Sequence, residues 1–519
     1  MSTAQPPRPA GASSTPAKTT VRSGRPVPPS ALPRVERKTD WKTAATKFGV
    51  SLSVHAVALL ICGLFTFGSA GVEKIISTIT VFDEVPAEPI VERSLAAPTT
   101  DQMESTPTNS IIENIAATAV ADSTAGMTLD INDLDPTVAI GSNEAISLGN
   151  ISGIKVGDVT SGRTKAGKSA LVKQFGGNSS SEAAVASGLK WLATHQLPDG
   201  SWSFDHNECK DCDGKCSSPG NMKECRIAAT GLALLAYLGG GHTHEKGDYQ
   251  KQVRNGVDAL VKMGKITPDG FDLRGELAAD HGHAAFYSHG IATIALSEIV
   301  ALSKDAKYRP PAMNAVKFIV AAQDPKGGGW RYQPRQPGDT SVVGWQVMAL
   351  KSAQNAKIKF PGITFKGADL FLDKMASPDG SLYGYDSPER LNPTTTAVGL
   401  LCRMYLGWDR KQEGLQKGVE FLDKTKPQPN NMYYNYYATQ VMHHWGGEEW
   451  TRWNTIMRDR LTTTQHQLAK GHSAGSWDPA DPHGSSGGRH YMTCLCVMTL
   501  EVYYRHLPIY QREHIKVEF

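Results

Sequence analysis

The sequence predicts an all-α protein, a toroid of six helix hairpins, and two observations indicate this fold class. A phrase recurs along the C-terminal two-thirds of the 519-residue chain: an apolar helical stretch, often a Gln, a turn rich in Pro, Asp and Gly, and then an aromatic residue. Apolar residues between the turns follow helical spacing, while the alternation typical of strands is scarce. A repeat of this kind makes one helix pair the building unit.

The repeated phrase also locates the helices. Clear copies occupy 188–202, 317–330 and 370–383, and weaker copies occupy 257–271 and 460–477. An open stack of six pairs would be a solenoid, but six pairs can also close an α/α toroid with the first helix of each pair outside and the second inside. The predicted pairs join 182–196 to 226–240, 249–264 to 285–303, 311–323 to 339–354, 364–375 to 394–406, 413–423 to 432–445 and 450–467 to 489–506.

The N-terminal region predicts a membrane anchor. Residues 48–72 carry no Asp, Glu, Lys or Arg, and a bilayer core needs about 20 such residues. Nine basic and two acidic residues precede this span, whereas 75–150 contains twelve acids and one base. The asymmetry predicts a single-pass protein of the inner (cytoplasmic) membrane, with the N-terminus in the cytoplasm and the toroid in the periplasm. The alternative is a cleaved signal peptide with a small-residue site at 68–70.

The remaining segments flank the folded part. Residues 1–47 are predicted to be a disordered basic tail, because their composition cannot bury enough surface to offset chain entropy. Residues 73–180 are predicted to be an acidic low-complexity tether, 181–507 the toroid and 508–519 a C-terminal tail. Lys and Arg number 54 against 51 Asp and Glu, so the charge balance gives no indication of nucleic-acid binding.

The repeated phrase resembles the repeats of squalene–hopene cyclases and of protein prenyltransferase β subunits. The residues that carry the resemblance are, in order, Lys or Gly, an apolar pair, Gln, Gly and Trp. The resemblance covers about 181–507 and implies the α/α toroid. It also implies two chemistries that the residues do not fully support. Where the cyclases carry an Asp-x-Asp-Asp-Thr acid motif, this chain reads Gln336-Pro337-Gly338-Asp339-Thr340. Asp339 is thus a candidate catalytic acid, although an N-cap for the following helix is the simpler interpretation.

The prenyltransferase resemblance implies a zinc site that is incomplete here. His490 matches the histidine ligand of that family, but the preceding inner helix lacks the Asp-x-Cys pair. The Cys-Gly-Glu-Gln string of the complement-type toroids is absent from the sequence as well. An isoprenoid enzyme, either a cyclase or a transferase relative, is therefore expected only with altered catalytic groups.

A closed toroid predicts where a ligand would bind. The inner helices all begin at one end, so their N-terminal groups and the first side chains of each helix should surround one mouth. Aromatic side chains deeper in the ring suit an apolar, peptide or glycan ligand, or they simply pack the seams between helices. The candidate ligand-binding residues are His289, Arg331, Trp345, Tyr385, Tyr433, Tyr436, Arg489 and His490.

Four cysteines lie close together in the sequence, in the stretch after Trp202. Cys209, Cys212, Cys216 and Cys225 have a spacing that can hold a structural zinc ion or form two disulfides. Disulfides are favoured outside the cytoplasm. The sequence leaves both alternatives open.

The predicted membrane span carries a second, smaller resemblance. Ser51 and His55 are four residues apart and share one helix face. The pair resembles the Ser-x-x-x-His of TonB-type anchors, which implies coupling to a proton-driven motor complex. An ionisable residue inside a span is by itself a functional hypothesis.

Two functions follow from these observations. The first is a non-catalytic ligand-binding or scaffold module, held at the cell envelope by its anchor. The second is the isoprenoid enzyme. The incomplete acid motif and the missing zinc ligands favour the binding module.

Overall fold

Twelve helices between residues 179 and 500 alternate between an outer and an inner ring. This computed structural model describes residue 158 and residues 160–279, 282–467 and 471–511. The predicted tail, the span at 48–72 with Ser51 and His55, most of the tether and the last eight residues lie outside these ranges.

The outer and inner helices follow one another in strict alternation. The outer helices are α2 (Ser179–Thr194), α4 (Gln250–Met263), α6 (Arg309–Ala322), α8 (Ile363–Met375), α10 (Glu413–Thr425) and α12 (Gly447–Thr464). The inner helices are α3 (Arg226–Gly239), α5 (Ala285–Ser303), α7 (Thr340–Asn355), α9 (Pro393–Leu406), α11 (Met432–Trp445) and α13 (Gly484–Leu500). Two further helices, α1 (Lys165–Phe175) and α14 (Val502–Arg505), lie at the ends of the toroid, and one hairpin pairs β1 (Lys265–Thr267) with β2 (Gly270–Asp272).

The rings are closed. Each inner helix packs against the next, from α3 through α5, α7, α9 and α11 to α13, and α13 packs back against α3. In the outer ring α12 packs against α2. The predicted α/α toroid of six hairpins is therefore confirmed, and an open solenoid is excluded.

The outer helices bury one face and the inner helices bury nearly all of their side chains, as their positions in the ring require. Outer helix α4 buries one stripe, which includes Val253, Val257 and Leu260, and leaves its other face in solvent. Inner helix α5 is buried nearly all round. It is also the only described helix long and apolar enough to cross a membrane, with 83% of its apolar window buried in the protein. We therefore interpret α5 as a core helix of the ring.

The repeated Trp and Gln have the same contacts in three hairpins. The indole N–H of Trp330 donates to the carbonyl of Ile319 in its own outer helix at 2.8 Å. The amide of Gln323 donates to Gly328 in the turn at 2.7 Å and to Thr364 in the next outer helix at 2.8 Å. The corresponding bonds run from Trp202 to Leu192, from Trp477 to Leu461, and from Gln196 to Gly200 and Gln252. The repeat thus encodes packing between neighbouring hairpins.

Two features differ from the prediction. Helix α1 lies in the range expected to be tether, because Leu171, Val172 and Phe175 are apolar enough to bury a face. Trp450 of α12 donates its indole N–H to the carbonyl of Phe175 at 3.1 Å. The β1–β2 hairpin was also not expected from an all-α pattern. It forms around a turn in which Gly270 has a φ of +136°.

Candidate functional site

The first turns of three inner helices meet at one end of the ring, which we call the start side. The Tyr287 hydroxyl of α5 donates to Ser341 Oγ of α7 at 2.9 Å, and Ser341 Oγ lies 2.8 Å from the Tyr433 hydroxyl of α11. Asn and Asp caps fix where these helices begin, since Asp339 accepts from Val342 N–H and Asn431 accepts from Tyr434 N–H. The sequence predicted this convergence of helix starts.

Aromatic side chains fill the middle of the ring below that face. Trp345 of α7 donates its indole N–H to the Tyr433 hydroxyl of α11 at 2.9 Å, across the centre. It stacks on Tyr436 with ring centroids 6.0 Å apart and meets Tyr437 edge-on at 5.9 Å. Trp345, Tyr436 and Tyr437 are all buried. The deep open chamber expected around these residues is therefore occupied by their own rings.

A half-exposed group of side chains remains accessible on the start side. We call His283, Arg331, Tyr332, Tyr385 and Asp386, with Asp339 beneath them, the start-side cluster. The His283 and Tyr332 rings are parallel, with centroids 4.5 Å apart, and the Tyr332 and Tyr385 hydroxyl oxygens are 2.5 Å apart. The Arg331 guanidinium lies 5.2 Å from the Tyr332 ring and 5.8 Å from the Tyr385 ring. The cluster combines flat aromatic surfaces with polar groups.

Asp339 is the buried member of this cluster. Its Oδ1 accepts from Val342 N–H at 2.8 Å, so the predicted N-cap is present. Its Oδ2 makes no hydrogen bond and lies 3.8 Å from Arg331 Nε. Burial raises the pKa of Asp339 to about 6, against the lowering effects of the Val342 N–H and of Arg331.

Asp386 has the opposite electrostatic environment. It lies 3.2 Å from Arg331 Nη2 and 3.0 Å from Arg390 Nη1. Arg390 and Arg331 lower its pKa below the ordinary aspartate value. One guanidinium therefore lies beside two carboxylates that differ in their affinity for a proton.

Three of the predicted ligand-binding residues make internal contacts. His289 accepts from Leu273 N–H and donates to the Ala315 carbonyl, each at 3.1 Å, and burial lowers its pKa to about 4. His490 donates to the Ala229 carbonyl at 2.9 Å. Arg489 is fully buried; it donates to Ser217 O at 2.9 Å and pairs with Asp478.

A cavity lies at the opposite end of the ring, the finish side, where the inner helices end. It encloses about 790 Å³, including solvent at its mouth. Its wall includes Glu298, Tyr405 and Tyr436. Arg163 and Arg505 lie 2.8 Å and 3.1 Å from the Glu298 carboxylate. Although burial acts to raise it, these two arginines lower the pKa of Glu298, so its carboxylate is paired with both of them.

The cysteine-rich stretch forms the loop between α2 and α3. All seven cysteines in the described ranges are free thiols, and all are buried. Cys209 donates to the Thr194 carbonyl at 3.2 Å. Cys225 lies at the N-cap of α3, where burial raises the pKa of its thiol to about 12.

Sequence reasoning did not identify His283, Tyr332 or Asp386. Tyr332 and Asp386 each directly follow a predicted site residue, Arg331 or Tyr385, in the turn between an outer and an inner helix. All inner helices were expected to begin around one mouth of the ring. Extending the predicted site by one residue along each turn would therefore have included both Tyr332 and Asp386. The Asp-His-Gly-His run at 280–283 does mark His283 in the sequence, but as a metal ligand or a solvated loop residue and not as part of this cluster.

No protein-family model matches the chain, and no curated protein matches it. Among solved structures, it is similar to an inactive variant of the α-1,6-mannanase of glycoside hydrolase family 76 from Salegentibacter sp. HEL1_6, in complex with α-1,6-mannotriose. That match has a TM-score of 0.44 and 11% identity over 63% of this chain and 99% of the other. A second structure of this mannanase gives 0.44 and 13% over 62% and 98%. A novel α-amylase from Clostridium perfringens gives 0.41 and 9% over 62% and 97%.

These similar structures are glycosidases. The predicted membership of the terpenoid cyclase and protein prenyltransferase repeat family is therefore wrong, and so is the isoprenoid enzyme expected from it. The physical reason lies in the repeat itself. Its Trp bonds to a backbone carbonyl of its own outer helix, and its Gln bonds to a backbone carbonyl of the next hairpin. Both residues therefore indicate how the ring packs and not the chemistry of a substrate.

Proposed function

We propose that this chain is a membrane-anchored protein of the cell envelope whose toroid binds a glycan, without transforming it, at the start-side cluster. One observation carries the proposal: Arg331 lies between two carboxylates and two tyrosine rings on a half-exposed face. Sugar rings present C–H faces to aromatic side chains and hydroxyls to charged hydrogen-bonding groups. The cluster offers both kinds of contact side by side.

The charges of the cluster favour a neutral polyol over the other ligand classes. Asp339 and Asp386 offset the positive charge of Arg331, so the cluster does not favour a phosphate or diphosphate. An apolar ligand would cover Arg331 and the tyrosine hydroxyls without offering them hydrogen-bond partners, and burying unpaired polar groups costs binding free energy. Hydroxyl groups can both donate to the carboxylates and accept from the guanidinium.

Binding is tested with the full-length chain in detergent and a panel of neutral oligosaccharides that includes α-1,6-mannotriose. Titration calorimetry should show saturable binding that Arg331→Ala weakens at least about tenfold, the loss of one charged hydrogen bond. Tyr385→Phe, which removes only the hydroxyl, should weaken it less. Tyr405→Phe is the matched control because Tyr405 lines the finish-side cavity.

The same variants discriminate between the two ends of the ring. Unchanged affinity in Arg331→Ala together with weaker binding in Tyr405→Phe would place the ligand in the finish-side cavity and contradict the proposal. No saturable binding to any oligosaccharide of the panel would also contradict it.

A second candidate function is hydrolysis of the bound glycan. The pKa of Asp339 is raised to about 6 while that of Asp386 is lowered, and such a divergent pair of carboxyl groups can act as acid and base. Asp339 is fully covered, so a neighbouring side chain would have to move before it touched a substrate. Asp339→Asn keeps the helix cap and removes the acid. Product release by the native chain, abolished in this variant while binding remains, would establish hydrolysis over simple binding.

A further inference from the structure

Two loops that are distant in the sequence meet beside the closure of the ring, which we call the seam. The loop between α2 and α3 contributes Cys212 and Cys216, and His195 lies at the C-terminal end of α2. The turn between α12 and α13 contributes His472. One nitrogen or sulfur atom of each of these four side chains lies within 4.8 Å of the other three.

Two sulfur-to-nitrogen distances within this group match those between ligands of one small ion. Cys216 Sγ lies 3.5 Å from His195 Nε2 and 3.2 Å from His472 Nδ1. Zinc–sulfur and zinc–nitrogen bonds of about 2.3 and 2.0 Å in a tetrahedron separate sulfur from nitrogen by about 3.5 Å. The distances from Cys216 to the two histidines, with the other pairs within 4.8 Å, therefore fit a tetrahedral zinc centre.

Neighbouring groups fix the orientation of the histidine that faces the thiols. His195 Nδ1 lies 2.7 Å from the Trp191 carbonyl, and since a carbonyl only accepts, Nδ1 carries the proton and donates. Its Nε2 therefore presents a lone pair towards Cys216. The imidazole also stacks on the Trp191 ring at 3.9 Å. A ligand histidine whose other nitrogen donates to a carbonyl is the usual arrangement around protein-bound zinc.

A further histidine supports the second thiol from outside the group. His206 Nε2 lies 3.2 Å from the Ser217 carbonyl and donates to it, which directs Nδ1 towards Cys212 Sγ at 3.7 Å. Cys209 instead donates to the Thr194 carbonyl, and neither it nor Cys225 belongs to the four-membered group. The geometry thus separates the four cysteines of this loop into two pairs.

We propose that His195, Cys212, Cys216 and His472 bind one structural zinc ion that joins the first and last hairpins of the toroid. Four protein ligands fill a tetrahedral shell and leave no position for a substrate, so the site is structural. His195, Cys212 and Cys216 are buried, and half-buried His472 gives the ion a route of entry. Arg489 of α13 already donates to Ser217 in the same loop, so the ion would strengthen an existing contact.

The proposal is independent of the glycan function, and zinc content tests it directly. The full-length chain, purified without chelators, should hold one zinc ion per chain by mass spectrometry of the metal. Cys216→Ser and His472→Ala should lose it. Cys209→Ser and Cys225→Ser are the matched controls, because they remove thiols of the same loop that lie outside the group, and they should retain it.

A second measurement distinguishes the loss of a metal ligand from the failure of a variant to fold. His472→Cys supplies a thiolate at the same position, so it should keep the metal. With Co²⁺ in place of zinc, it should also show stronger sulfur-to-metal absorption than the native chain. Circular dichroism follows the helical content of each variant.

Two results would overturn the proposal. Loss of zinc in Cys209→Ser or Cys225→Ser, with retention in His472→Ala, would assign the metal to the four cysteines. A metal-free native chain, in which mass mapping finds these cysteines as disulfides or free thiols, would exclude the site altogether.

Discussion

The side-chain amide of Gln465, at the end of the last outer helix, donates to the carbonyl of Ala184 in the first outer helix at 2.8 Å. The same amide donates to Gly475 in its own turn, also at 2.8 Å. Gln196 and Gln323 make the equivalent pair of bonds within their own hairpins and to the next. The contact that repeats around the ring therefore also closes it.

Removing this amide should loosen the seam. Gln465→Ala leaves two backbone carbonyls without their partner, which should lower the free energy of unfolding by about 2 kcal/mol. Urea unfolding followed by circular dichroism measures the change. Gln250→Ala is the control, since Gln250 is exposed and bonds only to Gly247 three residues away; it should cost less than about 0.5 kcal/mol. Equal losses in both variants would contradict a special role for the seam.

Substitution of Gly328 should be more costly than backbone conformation alone explains. Its φ is +79°, and a Cβ there would lie 2.1 Å from the carbonyl oxygen of Gly367 in the next outer helix. Gly447 has a similar φ of +73°, but its Cβ would meet only the end of the Glu449 side chain at 3.1 Å. We expect Gly447→Ala to cost about 1 kcal/mol and Gly328→Ala to cost at least about twice as much. Thermal unfolding of the two variants gives the comparison, which fails if their melting temperatures fall equally.

Glu501 should make stability fall as the pH rises. Both its carboxylate oxygens lack hydrogen bonds, Arg505 Nη1 is 3.6 Å away, and burial raises its pKa from 4.5 to about 8. Between these two values the unfolded chain ionises Glu501 while the folded chain keeps the proton, so the folded state binds more protons and loses stability as the pH increases.

Glu501→Gln removes this dependence. The variant should gain stability relative to the native chain as the pH increases from 4.5 to 8, and the two should differ least at the acid end. Urea unfolding at pH 4.5, 6 and 7.5 measures the gain. Glu448→Gln, which changes a carboxyl group exposed on α12, should leave the pH profile unaltered. Parallel profiles for the native chain and Glu501→Gln would contradict the raised pKa.

Removal of the proposed zinc ion should destabilise the seam. A ligand present at about a thousand times its dissociation constant adds about 4 kcal/mol, so a strong chelator should lower the melting temperature of the native chain by several degrees. The same chelator should leave the melting temperature of Cys216→Ser unchanged. An identical decrease in both would mean that the chelator acts elsewhere.

The sequence was sufficient for the helices and for the closed ring. The predicted helix pairs agree with the observed ones within a few residues, because copies of the repeated turn mark five of the six outer-helix ends and helical spacing of apolar residues locates the remaining hairpin. Helix α1 was missed since its apolar face is short and is buried only against distant Trp450. Its stability depends on a contact that no local pattern shows.

The candidate site was harder to predict for a related reason. Arg331 and Tyr385 both lie in turns at the start side, but their pairing with Asp386 and Tyr332 joins the turns of neighbouring hairpins. The metal group joins His195 to His472 across the seam, whereas spacing alone suggested only the four cysteines. His289 and His490 had a suitable residue type and position, but their ring nitrogens bond to the backbone of the ring wall.

At the seam the N-terminal and C-terminal ends of the toroid's chain are in contact. Arg163, just before α1, donates to the Arg505 carbonyl at 3.3 Å. The fold therefore depends on which hairpins are neighbours in space more than on where the backbone is continuous. A circularly permuted gene that links these two points through a short spacer and opens at the loop near Lys304 should still encode the same architecture. The order in which the hairpins leave the ribosome would change, while their neighbours in the finished protein would not.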